Sequence, residues 1–445
     1  MVKVSVIIPS LNVIDYIDEC IESVINQDIE DVEIICVDAG STDGTREKLS
    51  RYALSNSRIR ILDSPIKSYG YQVNYGISKA VGKYVTVVES DDYIDLSMLS
   101  FLYTKAEEYE ADVIKADYKS FWVDDNDEKI FVNNHRLMGD EKKLYYACMS
   151  NESLPGVVYL YDAKLWSALY KLDFLKNNRI RFNESPGAAY QDIGFVQQIH
   201  ILAKRIVYTD KMLYYYRTDR VESSTNQPGW LRNLYQEYVF LLNGDISRTK
   251  EWQLYNQYIA NRIAYIFVTE LKRSIINTKF IIANTSWFDY YKKMQPIIKG
   301  LIASDKIIKY HFDNGVWNQL LLSLYSIESY RDYLRADYEY NEQKKNDFIR
   351  RCQSEPCIIF GSGFRGKKIY NLLRDNNINV VSFWDNDENK LGEKYMGTVV
   401  CKPQKIRTED NSCMFVIAAR GAEEKIAKQL ITLGVNENRI FYFDL

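Results

Sequence analysis

Val88-Glu89-Ser90-Asp91-Asp92-Tyr93, directly after the apolar run Tyr84-Val85-Thr86-Val87-Val88, is the stretch that decides the fold. A buried run that ends in three acidic side chains reads as a strand releasing carboxylates at its C-terminal end, where open α/β sheets bind their ligands. Hard oxygen ligands at that edge suit a divalent cation carrying a diphosphate. The same acids read equally well as the start of a helix from Leu96 to Tyr109, because Asp91, Asp92 and Asp95 all belong to a residue type favoured at caps and in first turns.

The surrounding sequence has the rhythm of a parallel sheet. Apolar runs at Val4 to Ile8, Val32 to Val37, Ile59 to Leu62 and Tyr84 to Val88 are each followed by an amphipathic segment: Ile14 to Ile25, Asp43 to Leu54, Tyr71 to Ala80 and Leu96 to Tyr109. Short buried runs alternating with helical segments are the signature of βαβ units. Asp112 to Tyr118 reads as a further strand, and Asp124-Asp125-Asn126-Asp127 after it as a solvated hairpin turn, since it lacks the glycine and distal glutamate of a calcium loop. Between Trp230 and Arg350 the apolar period becomes helical, as in Ile259, Ile263, Ile266 and Phe267. Glu342 to Lys345 reads as a polar hinge, and Cys357-Ile358-Ile359-Phe360 opens a second α/β unit. The expected fold class is α/β in three parts: residues 1–225, a helical region at 226–350, and a small Rossmann-like domain at 351–445.

Composition excludes several classes. A net charge of −3 gives no basic footprint for nucleic acid. No apolar run reaches the ~18 residues needed to span a bilayer, and the N-terminus enters a strand without a leader pattern, so the expected location is cytoplasmic, at most peripheral to a membrane. The seven cysteines form no C-x-x-C pair and read as buried thiols. Three histidines are too few for a His-rich zinc site, so any metal must be held by carboxylates.

Two further turns place polar groups at the same sheet edge as Glu89 and Asp91. The first strand ends Ile8-Pro9-Ser10-Leu11-Asn12, and the second Val37-Asp38-Ala39-Gly40-Ser41-Thr42-Asp43-Gly44. Asp38 can accept from a base imide and a ribose hydroxyl, while Asp43 and Ser41 read as helix-capping residues.

Together VSVIIPSLN, VDAGSTDG, YGYQVNYGISKAVGKYV, VESDDY and YQDIGF make the chain resemble the family 2 glycosyltransferases of GT-A fold over roughly residues 1 to 220. The resemblance implies that Pro9 and Asp38 line the nucleotide, with Gln72, Asn74 and Ser90 among the donor-binding residues. It implies that Asp91 ligates Mn2+ or Mg2+ with Glu89 beside it, and that Asp192 is the catalytic base. Asp219 stands where many relatives carry an extra metal-ligating histidine. Val73 stands where an arginine is frequent, leaving Lys67 or Gln72 to replace it at the phosphates. Trp166 reads equally as an acceptor-stacking ring and as a core tryptophan.

The resemblance further implies an inverting, hexosyltransferase-type enzyme of bacterial capsule or other surface-polysaccharide synthesis. The expected donor is a UDP-sugar, the acceptor a saccharide or a lipid-linked one, and a homo-oligomer is among the expectations. In the tail, Gly361-Ser362-Gly363-Phe364-Arg365-Gly366 lies between a strand and a helix, with Asp385 at the end of Val380 to Trp384. That is a dinucleotide fingerprint in its proper context. A nucleotide-binding or purely packing module is the favoured reading; the alternatives are a redox or epimerase tail and an inactive transferase-like scaffold.

Overall fold

The fold is taken from a computed structural model, which describes residues 1–124, 127–220, 229–404, 412–419 and 421–443. Residues 125 and 126 of the acidic loop therefore lie outside the described residues. The chain forms two compact units, Met1–Phe121 with Asn133–Tyr330 and Trp122–Val132 with Arg331–Leu445.

The first unit begins as the apolar rhythm requires. β1 (Val4–Ser10), α1 (Ile17–Ile25), β2 (Val32–Asp38), α2 (Thr45–Ser55), β3 (Ile59–Asp63), α3 (Tyr69–Lys79), β4 (Tyr84–Val87), β5 (Tyr93–Ile94) and α4 (Met98–Glu108) follow in order. Every residue of β1, β2 and β4 is buried, as expected for parallel strands covered on both faces. Then come β6 (Val113–Val123), β7 (Lys129–Asn134), β8 (Cys148–Met149), α5 (Gly156–Tyr161), β9 (Ala168–Lys171), α6 (Leu172–Asn177), α7 (Gln191–Leu202) and β10 (Ile206–Arg217).

The sheet runs β3-β2-β1-β4-β9-β6-β10-β5, with β7 paired to β6 and β8 to β10. β3, β2, β1 and β4 are parallel, whereas β9 inserts antiparallel between β4 and β6. β5 pairs antiparallel with the end of β10, matching Tyr93 with Tyr215. That pairing brings the far end of β10 to the acids that follow β4.

Two glycines in α3 have packing reasons. A Cβ on Gly70 would lie 1.9 Å from the backbone oxygen of Asn183, and one on Gly76 would lie 2.6 Å from Ile7. The helix can therefore press against both the 182–184 segment and β1 only where a side chain is missing. The unit is completed by α8 (Trp230–Asn243), α9 (Lys250–Asn277), α10 (Ser286–Ala303) and α11 (Asn314–Tyr325), while α12 (Ile327–Cys352) carries the chain into the second unit. The expected polar hinge at Glu342 to Lys345 is continuous helix within α12. No helix among the described residues is long and apolar enough to cross a membrane.

The second unit contains β11 (Cys357–Phe360), α13 (Phe364–Asp375), β12 (Val380–Trp384), β13 (Lys394–Tyr395), β14 (Thr398–Cys401), β15 (Met414–Ile417), α14 (Glu423–Thr432) and β16 (Ile440–Phe441). Its sheet order is β13-β14-β12-β11-β15-β16, parallel except at β13. Chain order hides one component of its core: Trp122 and Ile130, from the ribbon between β6 and β7, are buried with Phe348, Cys357, Ile359 and Phe383. Of the seven cysteines, five are buried, but Cys148 is exposed and Cys401 half-exposed, so the expectation of buried thiols fails for those two.

Candidate functional site

The two readings of the acidic stretch resolve residue by residue. Asp95 starts the helix: its Oδ1 accepts from the Ser97 backbone N–H at 3.0 Å and the Ser97 hydroxyl at 2.6 Å. Glu89, Asp91 and Asp92 instead lie before β5 and are gripped from β10 and the segment after it. Asp92 is buried, accepting from the Tyr214 hydroxyl at 2.8 Å and the Arg217 backbone N–H at 2.7 Å. Burial, reinforced by Asp91, pushes its carboxyl well above the usual range. Asp91 Oδ2 accepts from Arg220 Nη1 at 2.9 Å, and its side chain remains 23% exposed, so a carboxylate oxygen is reachable there.

Glu89 faces the other way. Its Oε1 accepts from the Tyr69 hydroxyl at 2.7 Å, and its backbone N–H donates to the Tyr214 hydroxyl. Burial drives the Glu89 carboxyl up to about 8; Asp91 and Asp192 add to the rise, while Tyr69 and the Lys164 ammonium oppose it. Asp192 sits in the first turn of α7, after Tyr190 in the left-handed region at φ 70°, and its Oδ1 accepts from the Ile193 N–H. Burial raises Asp192 too, opposed by Lys164, by that N–H and by Arg262. Glu89 and Asp192 are thus within electrostatic reach of each other, and of one ammonium.

Gly194, two residues further, lets α8 close over α7: a Cβ there would meet Glu237 Oε1 at 1.8 Å. The buried Glu237 is driven up to about 8, with Asp192 contributing.

Several expected ligand residues are occupied structurally. Gln72 is buried and donates to the carbonyls of Ser10 and Val37, tying together the ends of β1 and β2. Asn74 both donates to and accepts from the Phe182 backbone and also donates to Glu184. Both amides therefore hold backbone in place. Asp38 closes its own turn, accepting from the N–H groups of Gly40 and Ser41 at 3.0 Å and from the Ser41 hydroxyl. Asp43 accepts from the Thr45 N–H in its own turn and from the Ile14 N–H after β1, and the Thr45 hydroxyl accepts from the Val13 N–H. Pro9 and Ser90 are buried at the same strand ends.

Trp166 is only 4% exposed, stacked on Tyr214 and Tyr216 with ring centroids 4.5 and 5.0 Å away. Trp166 lies beneath Tyr216, with the Lys164 ammonium over its ring. Asp219 stands 3.6 Å from Arg217. Among the described residues no group of three or more His, Cys, Asp or Glu is arranged to hold a metal ion.

In the second unit, Asp385 Oδ2 accepts from the Ser362 backbone N–H at 2.9 Å and hydroxyl at 2.7 Å, and pairs with Lys390 at 3.3 Å. Although burial alone would raise it, those donors hold the Asp385 carboxyl below its ordinary range. Gly361 has φ 112°, and a Cβ on Gly366 would lie 2.2 Å from the Gly361 oxygen, so backbone conformation explains the first glycine and packing the second. Only Gly363 has open space beside it. The expected ribose-binding carboxylate is engaged by Ser362 of the glycine turn after β11 and by Lys390.

The sequence reading missed Tyr69, Lys164, Tyr214 and Arg220. Tyr214 and Tyr216 could have been found from the two-residue period of a strand, which puts both on one face. Arg220 had no local signal, since its partner Asp91 is 129 residues away.

Residues 5–148 match the family described as Glycosyl transferase family 2, and residues 353–441 match the family described as C2185-like, N-terminal. The chain is 31% identical over 219 residues to the glycosyltransferase GlyG of Streptococcus pneumoniae, covering 48% of this chain and 70% of that one. It is 31% identical over 227 residues to a poly(ribitol-phosphate) beta-glucosyltransferase of Bacillus spizizenii, covering 49% of this chain but 32% of that one. Among solved structures, S. aureus TarS 1-349 in complex with UDP-GlcNAc aligns over 76% of this chain and 92% of that one, with a TM-score of 0.52 at 21% identity, a likeness of fold. With strand-end acids on a GT-A sheet and this similarity across most of GlyG, the chain belongs to the family 2 glycosyltransferases.

Proposed function

We propose that the chain transfers a hexose-type sugar, with inversion, from a UDP-sugar to a hydroxyl of a saccharide or lipid-linked acceptor, in the assembly of a bacterial surface polysaccharide such as capsule. The observation that carries this reading is Asp192 at the head of α7, within electrostatic reach of Glu89 and of the Lys164 ammonium. The UDP-GlcNAc held by TarS and the names of the relatives support a nucleotide-sugar donor. Placement on the cytoplasmic side, at most peripheral to the membrane, belongs to the same proposal.

A divalent cation fits this site in one specific way. Mg2+ and similar ions commonly take one or two protein carboxylates and complete their shell with substrate phosphates and water. Asp91, partly exposed and already paired with a cationic group, suits that role, with Glu89 beside it held by the Tyr69 hydroxyl. Mn2+ or Mg2+ bound by Asp91 would supply positive charge to the departing diphosphate.

The rest of the chemistry falls to the chain. The acceptor oxygen forms its bond to the anomeric carbon as the bond to the diphosphate breaks, and the hydroxyl proton passes to Asp192. A base so placed contributes on the order of 10²–10⁴-fold. Arg220 and Arg217, at the end of β10 and just beyond it, bring cationic charge to the acid cluster on the diphosphate side. Incubating the full chain with a panel of nucleotide sugars and oligosaccharide acceptors, and following nucleotide release with and without chelator, tests the reading. Release from a UDP-sugar that requires acceptor and is lost with chelator is expected; no release from any donor would overturn it.

A further inference from the structure

We propose that Lys164 is a specificity-determining residue on the acceptor side, an ammonium set to receive an anionic group, phosphate or carboxylate, carried by the acceptor near its attacking hydroxyl. The proposal rests on the reading of Asp192 as the base, which fixes the side of the site where the acceptor lies.

The ammonium of Lys164 stands 5.3 Å from the ring centre of Tyr216 and 5.8 Å from that of Trp166. Trp166 stacks on Tyr216 and on Tyr214, whose hydroxyl accepts from the Glu89 N–H, so the ammonium lies on the Glu89 side of the site, where Glu89 and Asp192 also feel its charge; it makes no ion pair or hydrogen bond among the described residues. The other two cations that Asp192 interacts with are engaged elsewhere. Lys115 is buried in an ion pair with Asp162, and Arg262 donates to the Leu160 carbonyl. Among the described residues Lys164 is therefore a cation near the base that remains for a ligand.

Its backbone is held with unusual care. Arg136, 2% exposed, donates to the carbonyl of Ala116 at 2.7 Å, of Lys164 at 3.2 Å and of Trp166 at 2.7 Å, and pairs with Asp162. Asp162 also accepts from Lys115 and from the Tyr208 hydroxyl. Desolvating three charged groups costs several kcal/mol per ion, so such a cluster contributes little net stability and is better suited to fixing geometry. What it fixes is the segment 162–166, which carries Lys164. An anionic acceptor approaching Asp91 and Asp192 would be repelled, and one preset ammonium offsets that repulsion while rewarding acceptors that carry the charge. Arg136 is accordingly the positioning residue for Lys164.

The test is binding by the full chain with saturating UDP, using matched probes: methyl glucuronide against methyl glucoside for a carboxylate, and glycerol 1-phosphate against glycerol for a phosphate. In at least one pair the anionic member should bind ~10-fold more tightly, the worth of one charge-assisted hydrogen bond. The pair that responds identifies the anion. Lys164→Met should reduce the preference to within about 2-fold with UDP affinity unchanged, while Lys164→Arg keeps most of it. Arg136→Lys should weaken the preference through loss of the clamp. Equal binding of charged and neutral probes in both pairs, or a preference that survives Lys164→Met, would overturn the proposal. Probe binding involves no proton transfer, so an active Asp192→Asn enzyme would sink the base assignment and leave this result legible.

Discussion

The two units each end a buried parallel strand in a glycine-bearing or acidic turn, yet the carboxylates there meet opposite fates. In the second unit Asp385 takes two hydrogen bonds from Ser362 and a lysine, and is held below its ordinary range. In the first, burial and neighbouring acids drive Glu89 up to about 8, Asp192 rises too, and Asp91 is met by an arginine from beyond β10. A carboxylate satisfied by a neighbouring turn and a lysine is part of the framework. One kept in a poorly satisfied, charged neighbourhood is held for a ligand or a proton.

The largest effect that would sharpen this contrast is on chemistry. Asp192→Asn should lower kcat by ~10²–10⁴-fold while donor affinity stays close to wild type, because the base acts on the acceptor. Full activity in that variant would remove Asp192 from the mechanism. Asp91→Asn should weaken UDP-sugar binding by ~10-fold or more and abolish its response to added Mn2+, as titration calorimetry would show. A donor affinity that ignores both the metal and the substitution would leave Asp91 a structural residue.

A smaller change is expected at the other edge. Asp385→Ala strands the Ser362 donors and should cost ~1–3 kcal/mol of stability, with transfer rates unaltered at a temperature where the variant is folded. Because the folded Asp385 carboxyl is lowered, its contribution is present above the ordinary carboxylate range and is lost as pH falls through its folded value. Glu89 has the opposite sign. Its folded carboxyl keeps a proton between about 4.5 and about 8 that the unfolded chain releases, so its contribution declines as pH rises through that window. Thermal melts of Glu89→Gln should show a shallower decline there than the wild type, and Glu237→Gln, for the same reason, a similar one. A steeper decline in either would contradict the burial argument.

The strands were legible because β1, β2 and β4 are apolar on both faces, and helix boundaries fell within about three residues, since local caps such as Asp95 and Asp43 mark them. The site was legible only where it is local. Glu89, Asp91 and Asp192 belong to short motifs, but whether an amide faces a ligand or a backbone carbonyl depends on segments far away in sequence. Gln72 reaches Val37 and Asn74 reaches Phe182, contacts that no local pattern announces. Trp166 was ambiguous until Tyr214 and Tyr216 were seen to cover it. Lys164 could not stand out, because its importance comes from the clamp of Arg136, 28 residues earlier. The small C-terminal fold was readable as α/β, but not that Trp122 and Ile130 complete its core, so its ligand tests belong to the full chain.

The most direct test of the contrast is calorimetric titration of the full chain with UDP-sugar and Mn2+, comparing wild type, Asp91→Asn and Gly363→Val. Gly363 is extended with open space beside it, so the valine fits without strain and blocks only a bound phosphate. A single nucleotide sugar bound per chain, weakened by Asp91→Asn and untouched by Gly363→Val, is the predicted result. A second bound nucleotide that Gly363→Val removes, or binding indifferent to Asp91→Asn, would contradict the assignment of the working edge to the first unit.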